Sequence, residues 1–155
     1  MSVETVRERL ATMVAAVTVP VTVPVTPAIT GFARSPIPIP PANIPCGFVS
    51  AGPATYRDAG GIFYTTRQYT LTMLFQFLPH DLLGVNEEYA ELFFPAWLSY
   101  FASRPSLDAL ASVLSARIVS DTGIGGINYL GDNYIGTEFL IEVEEVQALT
   151  YTDSA

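Results

Sequence analysis

The sequence predicts an α+β domain: a mostly antiparallel sheet packed against one long helix and one or two shorter ones, with an extended Pro-rich arm. Three observations lead there. Apolar residues recur at helical spacing over 86–102 and again over 2–17. Two runs, 62–77 and 134–147, alternate apolar with polar residues, the period of a strand with one buried face. Eight of the twelve prolines crowd into 18–45, which neither a helix nor a central strand can cross. The 155 residues suit a single domain, with a core at 46–147 and a tail at 148–155.

The N-terminal helix is expected over 2–17, with Val3, Val6, Leu10, Met13, Val14 and Val17 on one face. Ser2 is placed to cap it, and Glu4 favours its positive end. Glu4 and Glu8 balance Arg7 and Arg9, so the segment reads as an amphipathic helix rather than a secretory signal with a positive start. The next stretch, 18–45, repeats VTVP and is built from Val, Ile and Pro rather than Ser and Gly. It reads as an extended, partly polyproline-like arm lying against its own or a neighbour's surface. A long ordered loop crossing its own domain is the other reading. Pro20, Pro24, Ile37 and Ile39 are its candidate subunit contacts.

Residues 46–51 read as a short strand, and 52–61 carry turn residues, Gly52, Pro53, Asp58, Gly60 and Gly61. In the strand at 62–77, Tyr69, Leu71, Met73, Phe75 and Phe77 share one face, and Pro79 ends it. Asn86 is expected to cap the long helix, with Glu87, Glu88 and Glu91 near its positive end. Tyr89, Leu92, Phe93, Ala96, Trp97, Tyr100 and Phe101 form a stripe that reads as core. Pro95 is expected to kink or split the helix. Phe94 and Leu98 lie off the stripe and are candidate contacts with a second partner. A short helix over 106–114, a strand at 115–121, turns through 122–133 and a strand at 134–147 complete the chain. In the last strand Thr137, Phe139, Ile141 and Val143 share one face, and Glu138, Leu140, Glu142 and Glu144 the other. The alternation slips after Glu144, which predicts a bulge or a strand end.

Half the residues are hydrophobic, and only 14% are charged, against about 25% in an ordinary soluble domain. That excludes wholesale disorder. No apolar stretch reaches the ~18 residues of a spanning helix, so no membrane partner is expected. The apolar surplus points to contacts with other chains. The net charge is −8, and the seven basic residues are scattered arginines, which argues against a nucleic-acid grip. Cys46, the sole cysteine, reads as a small buried hydrophobe.

Chemical motifs are scarce. One Cys and one His cannot build a zinc site, and His80 reads as a loop residue. TGIGG at 122–126 reads as a hairpin loop rather than a phosphate cradle. Asp121-Thr122-Gly123 matches the aspartic-protease triplet, and YLGD at 129–132 is faintly like a later motif of that family. That mechanism needs two carboxylates from two lobes or two subunits, and the two stretches lie too close together to leave room for the intervening hairpins and flap. Glu142, Glu144 and Glu145 read as a solvated face or the lining of an acidic channel. No catalytic, cofactor-binding or metal-ligating residues are assigned, and no enzyme activity or cofactor is expected.

The order of segments IPCGFVSAGPATY, YTTRQYTLTMLFQF, SYFASRPSLDAL and INYLGDNYIGTEFLIEVEEV resembles the tail terminator proteins of long-tailed bacteriophages, also called head–tail joining or tail completion proteins. The resemblance covers about 2–147. It implies a virion protein at the tail–neck junction, assembled in the host cytoplasm. Its subunits, six by the family's pattern, would form a ring that caps the tail tube and ends its polymerisation. The partners implied are the tail tube protein and a neck or head completion protein, with DNA passing through without specific binding. A field of six copies at −8 would discourage DNA from sticking. Asp132, Glu142 and Glu144 are the candidate lumen-facing acids. The competing readings are a neck stopper, a tube subunit or a capsid decoration protein, then a ligand-binding domain with a pocket of Tyr69, Phe75, Trp97 and Tyr100. Last comes an enzyme using Asp121 or His80.

Overall fold

The structure, a computed structural model, describes residues 3–20, 28–37, 39, 44–77 and 83–148. Among the described residues two helices, α1 (Val3–Ala15) and α2 (Leu83–Ala102), accompany six strands: β1 (Thr30–Phe32), β2 (Cys46–Ala59), β3 (Ile62–Phe77), β4 (Val113–Asp121), β5 (Gly125–Tyr129) and β6 (Asp132–Ala148). The sheet order is β1-β2-β3-β6-β4, and β5 pairs with the start of β6. Only the β1–β2 pair is parallel; the other pairs are antiparallel. This is the expected α+β class.

The two alternating runs become the central strand pair, in register from Ile62↔Ala148 to Phe77↔Tyr134 with one irregularity at Leu74/Gln76. Their in-phase apolar residues face the helices. Tyr69, Leu71 and Met73 lie beside Ile141, Phe139 and Thr137, and all six are buried. Val6, Leu10, Met13 and Val14 of α1 and Phe93, Trp97 and Phe101 of α2 close this core. Fully burying each large apolar side chain contributes about 1.5–3 kcal/mol. Phe93 and Trp97 lie 6.0 and 6.5 Å from the Phe139 ring.

The opposite face carries a second, smaller cluster: Ile39, Cys46, Phe48, Leu74 and Tyr134, with Phe32, Ile44, Ile127 and Tyr129 against it. The Tyr129 hydroxyl donates to the Pro36 carbonyl, fastening the Pro-rich segment to the β5–β6 hairpin. The described parts of 18–45 therefore fold back on their own sheet. Val19 and Ile29 enter the main core, 30–32 form β1 between prolines, and Ile39 enters the second cluster.

Several boundaries differ from expectation. The strand expected at 46–51 runs on to Ala59, because a bulge between Ala51 and Ala54 absorbs Gly52 and Pro53. β1 pairs only with residues 46–48 of β2, so Pro53 lies where β2 has an open edge and its missing N–H costs no cross-strand bond. The reversal falls at Gly60–Gly61, both at positive φ, as a type I′ hairpin turn requires. α2 begins three residues before Asn86, which lies inside the helix. Pro95 does not split it. Pro95 and Glu91 are both exposed, so the Glu91 carbonyl that proline leaves unpaired can take water.

The short helix expected at 106–114 is absent. Leu107, Asp108 and Ala109 occupy the left-handed region, at φ 54°, 57° and 58°, at a cost of about 1–2 kcal/mol per residue. The stretch read as turns at 122–133 contains β5. The irregularity expected after Glu144 falls on the neighbouring strand. β6 stays in register with β3, while β4 bulges between Val113 and Ser115, opposite Glu145 and Glu144. Ser2, Pro24, Pro79, His80 and the tail from 149 lie outside the described residues.

Candidate assembly surface

Beyond the second cluster, no described residue packs over the face of the sheet turned away from the helices. Its residues follow from register. Ser50, Thr70, Leu140 and Ser120 form one row across β2, β3, β6 and β4. Gln68, Glu142 and Arg117 form the next, and Thr55, Thr66, Glu144 and Ser115 the one after. None of these residues is buried. The face is therefore a lawn of hydroxyls and amides crossed by glutamates at 138, 142 and 144, with Arg117 as a counter-charge. The Arg117 guanidinium lies 3.2 Å from Glu142. Thr55, Thr66, Gln68 and Glu142, with Pro53 and Ala54, line a shallow depression of about 150 Å³.

The structure brings Glu142 and Glu144 together on this face but not Asp132. Asp132 sits at the β5–β6 hairpin, ten residues along β6, a distance of ~33 Å at the rise of a strand. Glu145 separates from the other two. It faces the helix side, where burial raises its carboxyl pKa against the opposing pull of Arg67. One carboxylate oxygen there is buried without a hydrogen-bond partner, as is Nε of Arg7. The same environment pushes the nearby Tyr69 hydroxyl up to about 12, first by burial and then by Glu145, while Arg67 and Arg7 pull it down.

The apolar candidates divide. Ile37 is 80% exposed and Leu98 is also exposed. Pro20 is exposed. Phe94 is half-buried, its ring 5.4 Å from Phe139, and Ile39 is buried in its own chain. Sequence reasoning missed Leu114 and Val119. Each is the extra residue at one of the two bulges of the edge strand β4, and they are 48% and 47% exposed. Their signal was present in SARIVSD and the leucine before it: apolar residues that fit no two-residue period. The far end of the β2–β3 hairpin adds an aromatic pair, the exposed Tyr56 stacked on the half-buried Phe63 at 5.5 Å. Arg67 steadies it, donating to the Tyr56 hydroxyl at 3.1 Å and the Gly52 carbonyl at 3.0 Å. On the other face Arg57 lies over Tyr64 at 4.3 Å.

The described residues of the ligand-pocket and enzyme readings make contacts within the fold, and His80 lies outside the described residues. Tyr69, Phe75 and Trp97 are buried in the main core, and Tyr100 stacks on Trp97 with Arg104 over its ring. Asp121 accepts the Gly123 N–H at 2.8 Å. Thr122 and Glu138 exchange two hydrogen bonds, so the Asp-Thr-Gly triplet ties a turn to β6. Burial pushes the Cys46 thiol up to about 12. Among the described residues no group of three or more His, Cys, Asp or Glu is placed to hold a metal ion, and no helix is long and apolar enough to cross a membrane. No protein-family model matches the chain, and a comparison with curated proteins finds no similar sequence.

Proposed function

We propose that the protein is a structural subunit that assembles with copies of itself into a ring, six by the resemblance to tail terminators. The ring caps a phage tail tube and joins it to the neck. The observation that carries this reading is the two-sidedness of the sheet. One face is spent on the core, whereas the other offers hydroxyls and glutamates over which no described residue packs, bordered by exposed apolar residues on β4. A closed ring needs two different patches on each subunit. The β4 edge and the β2–β3 hairpin lie on opposite sides of the sheet order and suit such a contact. Glu142 and Glu144 then face the lumen, where like charge keeps DNA from adhering. Asp132 belongs to a different level of the ring.

The test adds purified protein to polymerising tail-tube subunits. Short tubes, each ending in one ring, are the expected result. An unchanged distribution of tube lengths would overturn the reading, and long cylinders made from this protein alone would reassign it to the tube. Within assembled particles, Glu142→Lys with Glu144→Lys is expected to slow DNA passage; unchanged ejection kinetics would remove the two acids from the lumen.

A further inference from the structure

Residues 105–112 are built from a sequence that favours one handedness and held in the other. The run PSLDALASVL contains no glycine, places proline and serine at its start, and supplies Leu and Ala where a right-handed helix wants them. Yet Leu107, Asp108 and Ala109 all sit at left-handed φ, and Ser112 joins them at 72°. Residues other than glycine visit that region singly, not in runs. Such a conformation persists only where surrounding contacts over-determine it.

Those contacts are specific, and the principal one comes from another element. Arg9 of α1 donates from one guanidinium nitrogen to the Leu107 carbonyl at 2.9 Å and the Asp108 carbonyl at 3.1 Å. Arg104 pairs with the Asp108 carboxylate at 2.9 Å. Inside the turn, the Ala109 N–H donates to the Ser106 hydroxyl, and the Leu110 N–H to the Ser106 carbonyl. Leu107 is fully buried in the main core. Rewinding 107–109 to the right-handed region reverses the sign of φ and ψ at each residue and so re-aims the two carbonyls that Arg9 now holds.

We propose that residues 105–112 are a two-state element whose handedness is latched by Arg9. With α1 seated, the segment is a left-handed turn; when Arg9 withdraws, it winds into a right-handed helical turn. Seating of α1 and handedness of the turn are then coupled, each biasing the other. The inference stands apart from the assembly reading, since it concerns contacts within one chain.

Two variants of the full chain test it. Ala109→Gly leaves every clamp in place and puts at an exposed position the residue that adopts positive φ freely. It is expected to raise the Tm by about 2–3 °C; a fall would overturn the left-handed state. Arg9→Gln removes the latch. The backbone couplings and carbon chemical shifts of 107–109 are expected to move to right-handed values in NMR spectra, and adding Ala109→Gly is expected to return them. Unchanged left-handed values in Arg9→Gln would overturn the latch. Should Arg9→Gln fail to fold, adding Ala109→Gly is expected to restore folded protein, and no recovery would overturn the latch.

Discussion

Burial places the Cys46 thiol far above its ordinary range, to about 12, and leaves no path for a reagent to reach it. Thiol-reactive probes at pH 8 are expected to label the native chain only at the rate at which it opens; prompt labelling would show that the cluster around Ile39 and Tyr134 does not cover it. The raised values of Cys46 and Tyr69 also set an alkaline limit. The folded state holds these protons more tightly than the unfolded chain, so their contribution is full below pH ~9 and is lost as the pH climbs toward 12. Glu145 works in the same sense at lower pH. Its raised carboxyl pKa means that ionisation opposes folding, so stability declines as pH rises above the ordinary glutamate range near ~4.3. Glu145→Gln is expected to raise the Tm at pH 7, with a smaller gain at pH 4, by calorimetry; a uniform change would mean the charge is irrelevant. Two glycines are fixed by close approach. A Cβ on Gly31 would lie 2.1 Å from the Ala11 carbonyl oxygen, and one on Gly136 2.0 Å from that of Met73. Gly136→Ala is expected to separate β3 from β6 and leave little folded protein.

At the scale of elements, the central pair β3–β6 and the aromatic helix α2 hold the fold. Trp97 sits where both meet, within 6.5 Å of the Phe93, Phe101 and Phe139 rings. Trp97→Ala is expected to cost about 3–5 kcal/mol in denaturant unfolding. These elements were legible because their periods were long and clean. Thr137, Phe139, Ile141 and Val143 announced a buried strand face, and the Tyr89–Phe101 stripe a buried helix face. The elements that were misread fail for nameable reasons. Gly52-Pro53 has turn chemistry, but an edge bulge accommodates the same residues. Residues 106–114 have helical propensity, but Arg9, ninety-eight positions away in sequence, turns Leu107 the other way. The slip after Glu144 marked no break in β6; the bulge lies on β4, opposite Glu145 and Glu144. A contact from a distant element leaves no trace in local periodicity.

On the scale of the whole molecule, the open sheet face was half legible. Alternation placed Glu142 and Glu144 on the side away from the core, and register sets them among Thr55, Thr66 and Gln68. The same alternation puts Glu145 on the Val143 face, whereas the distance to Asp132 depends on strand length, which composition does not encode. The apolar surplus has an address in part: Ile37, Leu98, Leu114 and Val119 are exposed, and the bulges at Leu114 and Val119 blunt β4 against simple strand pairing. A seam between copies would then rely on side chains, and Leu114→Glu with Val119→Glu is expected to weaken self-association without lowering the monomer's Tm. The account's central claim is closed self-assembly. Its most direct test is the native mass of the purified chain across a concentration series, with the same sample viewed by negative-stain microscopy. The account predicts particles of about 100 kDa, six times the 16.7 kDa chain, with a central hole. A 16.7 kDa species at every concentration, with no ring on added tail tubes, would contradict it.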